Sequence, residues 1–463
     1  MQPRHLLHIV AVNLSFSVTC LSCFGQAYKE STGFNQLAAE IGGSLEDGAG
    51  VAVALVETPA GAAYLPDSSS SHFSGKTITD GSGSNVGANS HATTVGTRYF
   101  SNTNSYTPGI TDITGYEAND WVNNVLGFTG SSVPQAQNFS VMNHSYIDNG
   151  RTIADATELT RRLDFVANRD NVNMVIAVNN GAANNQPQLF TQTYNSIVVG
   201  RSDGNHSFGS TTLNGAGRQK PDIVAPDSFT SFSTPQVASA AALLRHKGAN
   251  MGGGNAIQNE VTKAVLLAGA TKEEFPGWSN TSTQPLDARF GAGELNVYNS
   301  YKILDGGEFN GSLTEPMTNV DAMGWDYADS ITSGQQLFYN LDFASAQTDA
   351  SLLLTWNAEL SDAVGDLDYD TLTLANLDLK FYDSSLSFMG SLVGESISTI
   401  DNVEHLYFEN LAAGKYTIAV ENIAGATDFA LGWRFTAVPE PNGFAICGLA
   451  ISLVLRSRRR SCR

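Results

Sequence analysis

The sequence predicts an α/β domain built on a doubly wound, mostly parallel sheet, followed by a smaller antiparallel β-sandwich. Three observations predict it. Short β-branched runs ending in polar or glycine turns recur at 50–58, 138–146, 173–181 and 195–202. Helix-like stretches occupy 156–169, 234–248 and 255–270. Beyond residue 305 helix signals become few, and short β-rich pieces follow one another at turn spacing. Continuous apolar runs suit strands buried on both faces of a parallel sheet. Strand–helix alternation then places a site at the C-terminal ends of the strands.

Taken in order, residues 1–27 have a short basic start and an apolar stretch that closes on Gly25-Gln26-Ala27. That is the layout of an export signal, with cleavage expected after Ala27. The short stretch between Ala27 and the first strand leaves no room for a folded inhibitory pro-segment. Residues 28–304 form the α/β domain. Its first strand, "GVAVALVET" (50–58), ends on an ionisable Glu57, where a turn residue is ordinary. "NSHATTVG" (89–96) carries His91 among small residues. "NFSVMNHSY" (138–146) and "NMVIAVNNG" (173–181) end on polar groups, the latter on Asn179-Asn180-Gly181. "TSFSTPQVASAAALL" (230–244) runs from a Ser/Thr-rich turn through Pro235 into a helix that is apolar all round. Pro235 fits a first helical turn, where its missing donor costs little.

Residues 305–437 read as the sandwich, from "QQLFYNLDF", "ASLLLTWNAEL", "LDLKFYDSS", "EHLYFENL" and "KYTIAVENI". Its loop "SDAVGDLDYDTL" (361–372) carries four aspartates. The loop reads first as a solvated turn; a structural Ca²⁺ held by oxygen ligands is the alternative. At 438–463, "VPEP" precedes twelve mostly apolar residues, Phe444–Leu455, and then an arginine cluster. Twelve helical residues rise about 18 Å, marginal for a permanent span. The arginines favour the cytoplasmic side.

Composition excludes some functions. The net charge is −20, and the body between the end segments is more acidic still, because Arg4 and five of the arginines lie in those segments against Glu440 alone. Such a body repels nucleic acid and anionic lipid. All four cysteines, Cys20, Cys23, Cys447 and Cys462, lie in the end segments, so residues 28–437 hold no disulfide and no thiolate metal site.

Singly, each of Glu57, His91 and Asn180 reads as an ordinary turn or hydrogen-bonding residue. Their order, an acid at a first strand end, then "NSH", then Asn at a later strand end, then "TS…TP", resembles that of the subtilisin-like serine proteases. "KPDIVAPD" (220–227) resembles that family's "PDIVAPG", "VMNHSY" its "NMSLG" strand, and "ARFGAGELNVYNSY" (288–301) the close of its catalytic domain. The resemblance covers about residues 45 to 302. It implies Ser231 as nucleophile, since "TSFSTP" matches "TSMATP", with His91 as general base and Asn180 in the oxyanion hole. Asn143, Ser145 and Tyr146 would lie on the substrate-binding strand. Protein or peptide substrates are implied, and no cofactor is required for catalysis.

Departures stand beside the match. Glu57 replaces the usual Asp; Glu fills this role in some α/β-hydrolases and contributes to the triad of the related sedolisins. Asp67 and Asp80 are the fallback acids, and Ser233 is a competing hydroxyl. Phe229 stands where Gly is usual, and "SYID" (145–148) replaces "SLGG", so a narrowed cleft is expected. The sandwich loosely resembles pre-peptidase C-terminal domains, through "NLDLKFYDSS" (376–385), which implies docking or stabilisation. The C-terminal segment resembles a PEP-CTERM sorting signal, which implies export to the envelope, transient membrane tethering and an exosortase-like partner. A non-catalytic surface or adhesion protein on the same fold is the rival expectation.

Overall fold

The computed structural model describes residues 27–128, 132–187, 189–315, 319–363, 365 and 367–438. Seven strands, β1 (Val53–Glu57), β2 (Thr77–Asp80), β3 (Asp112–Glu117), β4 (Val141–His144), β5 (Asn173–Ala177), β6 (Ile197–Arg201) and β7 (Ile223–Ala225), form one parallel sheet. Their order is β2-β3-β1-β4-β5-β6-β7. The chain leaves β1 toward β2 and β3, then returns to its other side with β4. The order therefore reverses beside β1, and a crevice opens at the C-terminal ends of β1 and β4. Every residue of β1, β4, β5 and β6 is buried, as their unbroken apolar runs require.

Among the described residues, six helices of eight residues or more flank this sheet: α1 (Phe34–Ile41), α2 (Ser90–Tyr99), α3 (Ile153–Arg169), α4 (Thr230–Asn250), α5 (Asn259–Gly269) and α6 (Val297–Asp305). Helix α4 is central. It packs against β4, β5 and β6 on one side and α2 on another, and its run Ser233–Arg245 is buried throughout. Small side chains, Ala238 and Ala240–Ala242 above all, let the sheet and a second helix approach it from different directions. Helix α2 needs a similar close approach at Gly96, where a Cβ would lie 2.9 Å from the Phe100 ring and 3.0 Å from Phe73.

After α6 come eight long strands: β8 (Met323–Thr332), β9 (Gln336–Phe343), β10 (Gln347–Thr355), β11 (Asn376–Asp383), β12 (Ser391–Ser396), β13 (Val403–Leu411), β14 (Gly414–Ala424) and β15 (Ala426–Ala437). They form two antiparallel sheets, β8-β15-β10-β13 and β9-β14-β11-β12. Their facing sides enclose a core that includes Leu352, Trp356, Phe381, Ile418 and Trp433.

The outer face of the first sheet lies on the α/β body. Helix α5 packs on β10 and β15. Trp325, Tyr327, Leu353, Val403 and Ala430 belong to the same apolar core as Ala264, Leu267 and Leu304. Polar bonds close the edges. Asn195 Nδ2 donates to the Ala358 carbonyl at 2.9 Å and its Oδ1 accepts from Ala358 N–H at 2.8 Å, and Asn402 Nδ2 donates to the Tyr194 carbonyl at 3.0 Å. A shared core makes the sandwich a structural support of the α/β body. Trp325, fully buried with its indole N–H bonded to the Leu304 carbonyl, tests this. Trp325→Ala is expected to cost about 3–5 kcal/mol, read by chemical denaturation followed on both layers as one transition.

Among the described residues no helix is long and apolar enough to cross a membrane, and no group of three or more His, Cys, Asp or Glu side chains could hold a metal ion. In the acidic loop, Asp362 accepts from the backbone N–H groups of Gly365 and Leu367. The expected export signal, but for Ala27, and the sorting segment, but for Val438, lie outside the described residues.

Candidate active site

Glu57 is the last residue of β1, beside the reversal of strand order. Its side chain is buried, and Oε2 lies 2.7 Å from His91 Nδ1. His91 enters from α2, whose start is fixed by Asn89: its Oδ1 accepts from the backbone N–H of His91 at 2.8 Å and of Ala92 at 3.0 Å. Side-chain capping of this kind satisfies helix donors that would otherwise be orphaned. Asn89 in turn donates to the Thr58 and Ala63 carbonyls. The cap therefore holds the start of α2 against the end of β1, and the imidazole against the carboxylate.

An ionised carboxylate only accepts, so the proton between the two sits on Nδ1 and leaves Nε2 as the basic nitrogen. The bond to Glu57 raises the His91 pKa above the ordinary imidazole value, against a smaller opposing effect of partial burial. Burial pushes Glu57 upward, and its bond to His91 pulls it back. The other carboxylate oxygen, Oε1, is buried with no partner among the described residues. The fallback acids are engaged elsewhere. Asp80 accepts from the Tyr64 hydroxyl and from backbone N–H groups at 82, 83 and 85, and Asp67 from the backbone and hydroxyl of Ser69.

Ser231 is the second residue of α4, directly after β7 and a short loop. The loop's N-cap residue, Phe229, supplies no side-chain cap. Instead Asn180, just past β5, reaches across: its Oδ1 accepts from the Thr230 backbone N–H at 2.9 Å. That contact fixes the amide, and its Nδ2 has no protein partner among the described residues. Thr230 is anchored as well, its hydroxyl donating to the Val178 carbonyl at 2.7 Å. The Ser231 backbone N–H also lacks a partner among the described residues. Two donors thus stand unused near one serine, at a helix start that favours negative charge.

The two candidate hydroxyls differ sharply. Ser233 is fully buried, its Oγ donating to the Ala225 carbonyl at 2.8 Å, so it belongs to the packing of α4 on β7. Ser231 is half-buried, and its hydroxyl forms no hydrogen bond among the described residues, including none to His91. The two chain regions nevertheless meet: the His91 ring lies 5.7 Å from that of Phe232, centroid to centroid.

Of the residues expected on the substrate strand, Asn143 is fully buried, its Nδ2 donating to Ser145 Oγ at 2.9 Å. Its side chain is turned into the interior, as at every position of this strand, which is covered on both faces. Ser145 is buried too. Tyr146 lines a cavity of about 180 Å³ with Thr58, Ile147, Asp148, Arg151 and Leu189, beside Glu57 in the chain. Arg151 and Asp148 pair there at 2.8 Å. Sequence reasoning passed over Arg98 and Asp227, which pair at 2.9 Å under Phe232. The available signal was the spacing of Arg98, two helical turns beyond His91 and so on the same side of α2.

The chain matches no protein-family model and no curated protein. Among solved structures it is similar to the prenylagaramide maturation protease PagA, at 19% identity over 54% of this chain and 93% of that one, with a TM-score of 0.38. It is also similar to the patellamide maturation protease PatA, at 19% identity over 57% of this chain and 99% of that one, with a TM-score of 0.39. The self-cleaved protease domain of PatA is a further match, at 20% identity over 55% and 97% of the two chains and a TM-score of 0.38.

Proposed function

We propose that the protein is an exported serine endopeptidase that hydrolyses peptide bonds through an acyl-enzyme. The carrying observation is the 2.7 Å bond between buried Glu57 and His91, with a serine at the start of the neighbouring helix whose hydroxyl has no partner among the described residues. In this reading His91 Nε2 takes the proton of Ser231 as Oγ attacks the peptide carbonyl. Glu57 stabilises the imidazolium that forms. The oxyanion receives hydrogen bonds from Asn180 Nδ2 and the Ser231 N–H. His91 then returns the proton to the leaving amine, and water, deprotonated by the same imidazole, cleaves the acyl ester. Hydroxyl–imidazole bonds are often long before substrate binds, which suits the unbonded Ser231.

The test is digestion of an unfolded protein substrate by the purified enzyme, with new N-termini identified by mass spectrometry. Cleavage that disappears in His91→Ala supports the reading; folded protein that releases no peptides opposes it. Asn180→Ala is expected to lower kcat by about 10²–10³-fold with little change in KM, because the lost donor acts on charge that exists only in the transition state. Export through residues 1–27 and envelope sorting through 438–463 by an exosortase-like enzyme complete the proposal.

A further inference from the structure

We propose that Phe232 is a positioning residue for His91, held in place by the ion pair of Arg98 and Asp227; this deepens the peptidase reading and rests on it. The bond to Glu57 fixes Nδ1 of the imidazole but puts no wall against the face of the ring. His91 is also 39% exposed at its side chain, so packing alone does not immobilise it. Productive transfer needs Nε2 aimed at one hydroxyl, and small misplacement is costly.

Phe232 supplies the missing wall. Its ring lies 5.7 Å from the imidazole, with 33° between the planes. It is itself confined on two further sides. The Arg98 guanidinium lies over it at 4.6 Å, a favourable cation–π placement, and Phe229 meets it edge-on at 5.5 Å and 84°. Arg98 cannot drift, because Nε donates to Asp227 Oδ2 at 2.9 Å, while Nη1 donates to the Thr94 carbonyl at 3.3 Å. Asp227 is fixed in turn by Gln236 Nε2 at 3.2 Å and by the Ser228 backbone N–H at 2.7 Å.

The brace therefore joins three pieces. Arg98 sits on α2 with the base, Asp227 on the loop before α4, and Phe232 next to the nucleophile. A shift of either helix start is transmitted to the ring between them. It also gives Phe229, which is half exposed, a part in the same aromatic stack.

The experiment compares wild type, Phe232→Ala, Phe232→Leu and Phe232→Tyr in the full protein, with folding checked by thermal denaturation. The first readout is the downfield Nδ1 proton resonance of His91, which does not depend on turnover. It is expected to be sharp in wild type and Phe232→Tyr, and broadened by exchange in Phe232→Leu, which keeps apolar bulk without a flat ring. The second is kinetics: kcat should fall by about ten-fold or more in Phe232→Leu at nearly constant KM, and recover in Phe232→Tyr. An unchanged resonance in a folded Phe232→Leu or Phe232→Ala protein overturns the inference whether or not the wild type is a peptidase. An inactive wild type with the expected resonance changes would instead remove the peptidase reading and leave the brace standing.

Discussion

Ser231→Ala is expected to lower peptide hydrolysis by about 10⁶-fold while leaving the fold intact, a magnitude taken from the corresponding loss in subtilisin. The size follows from the role proposed for the residue. Without Oγ no acyl-enzyme forms, and His91 has no proton to take; what remains is the donor pair around Asn180 acting on water's own attack. Ser231 is half-buried and its hydroxyl bonds nothing among the described residues, so its removal leaves no orphaned partner and stability should barely move. Ser233→Ala makes the opposite case. It deletes the bond to the Ala225 carbonyl and should cost about 1 kcal/mol of stability with turnover close to wild type. Steady-state kinetics and denaturation of the two variants, run together, separate the hydroxyls.

Glu57→Gln is expected to lower kcat by about 10⁴-fold at neutral pH. A glutamine is nearly isosteric, but its NH₂ can donate to His91 Nδ1 and trap the tautomer whose Nε2 carries the proton, which is useless as a base. The carboxylate that holds the His91 pKa up is lost as well. The sign is therefore fixed. In wild type, kcat/KM is expected to rise with pH as His91 deprotonates, along a limb displaced upward from the ordinary imidazole value. The residual activity of Glu57→Gln should rise along a limb at lower pH. A pH–rate profile with the acid limb unmoved in Glu57→Gln would mean that another group orients His91.

The central strands were more legible in the sequence than the scaffold around them. β1, β4, β5 and β6 were legible because strands buried on both faces must be continuously apolar. β2 and β3 were not: "TITD" is an edge strand with alternating exposure, and "DITGYE" is half-exposed and polar at both ends. Helix α2 was hidden for a related reason. "SHATTVGTRY" has threonines and a glycine, all poor helix formers, and it is held by the Asn89 cap and tertiary packing rather than by propensity. The final strand, β15, passed unnoticed because its apolar residues serve two cores at once. Trp433 faces the sandwich interior, while Gly432 lies against Ala264 of α5, where a Cβ would come within 3.3 Å of the Ala264 backbone.

Within the site, Glu57 and His91 could be named only through the order of the motifs along the chain, because each residue by itself reads as an ordinary turn or hydrogen-bonding group. Asn143 was assigned to the substrate strand by resemblance alone, since nothing in "VMNHSY" says which side of the strand faces the cleft. The Arg98–Asp227 pair joins residues 129 positions apart, and no local pattern announces such a partner. Such a contact is made through space, which a reading of neighbouring residues does not carry.

The most direct test is covalent. Exposure of the intact, folded protein to a fluorophosphonate, followed by peptide mapping, should yield one adduct per chain, on Ser231, and none in His91→Ala. A folded protein that takes up no label, or one labelled on another residue irrespective of His91, would contradict the catalytic assignment.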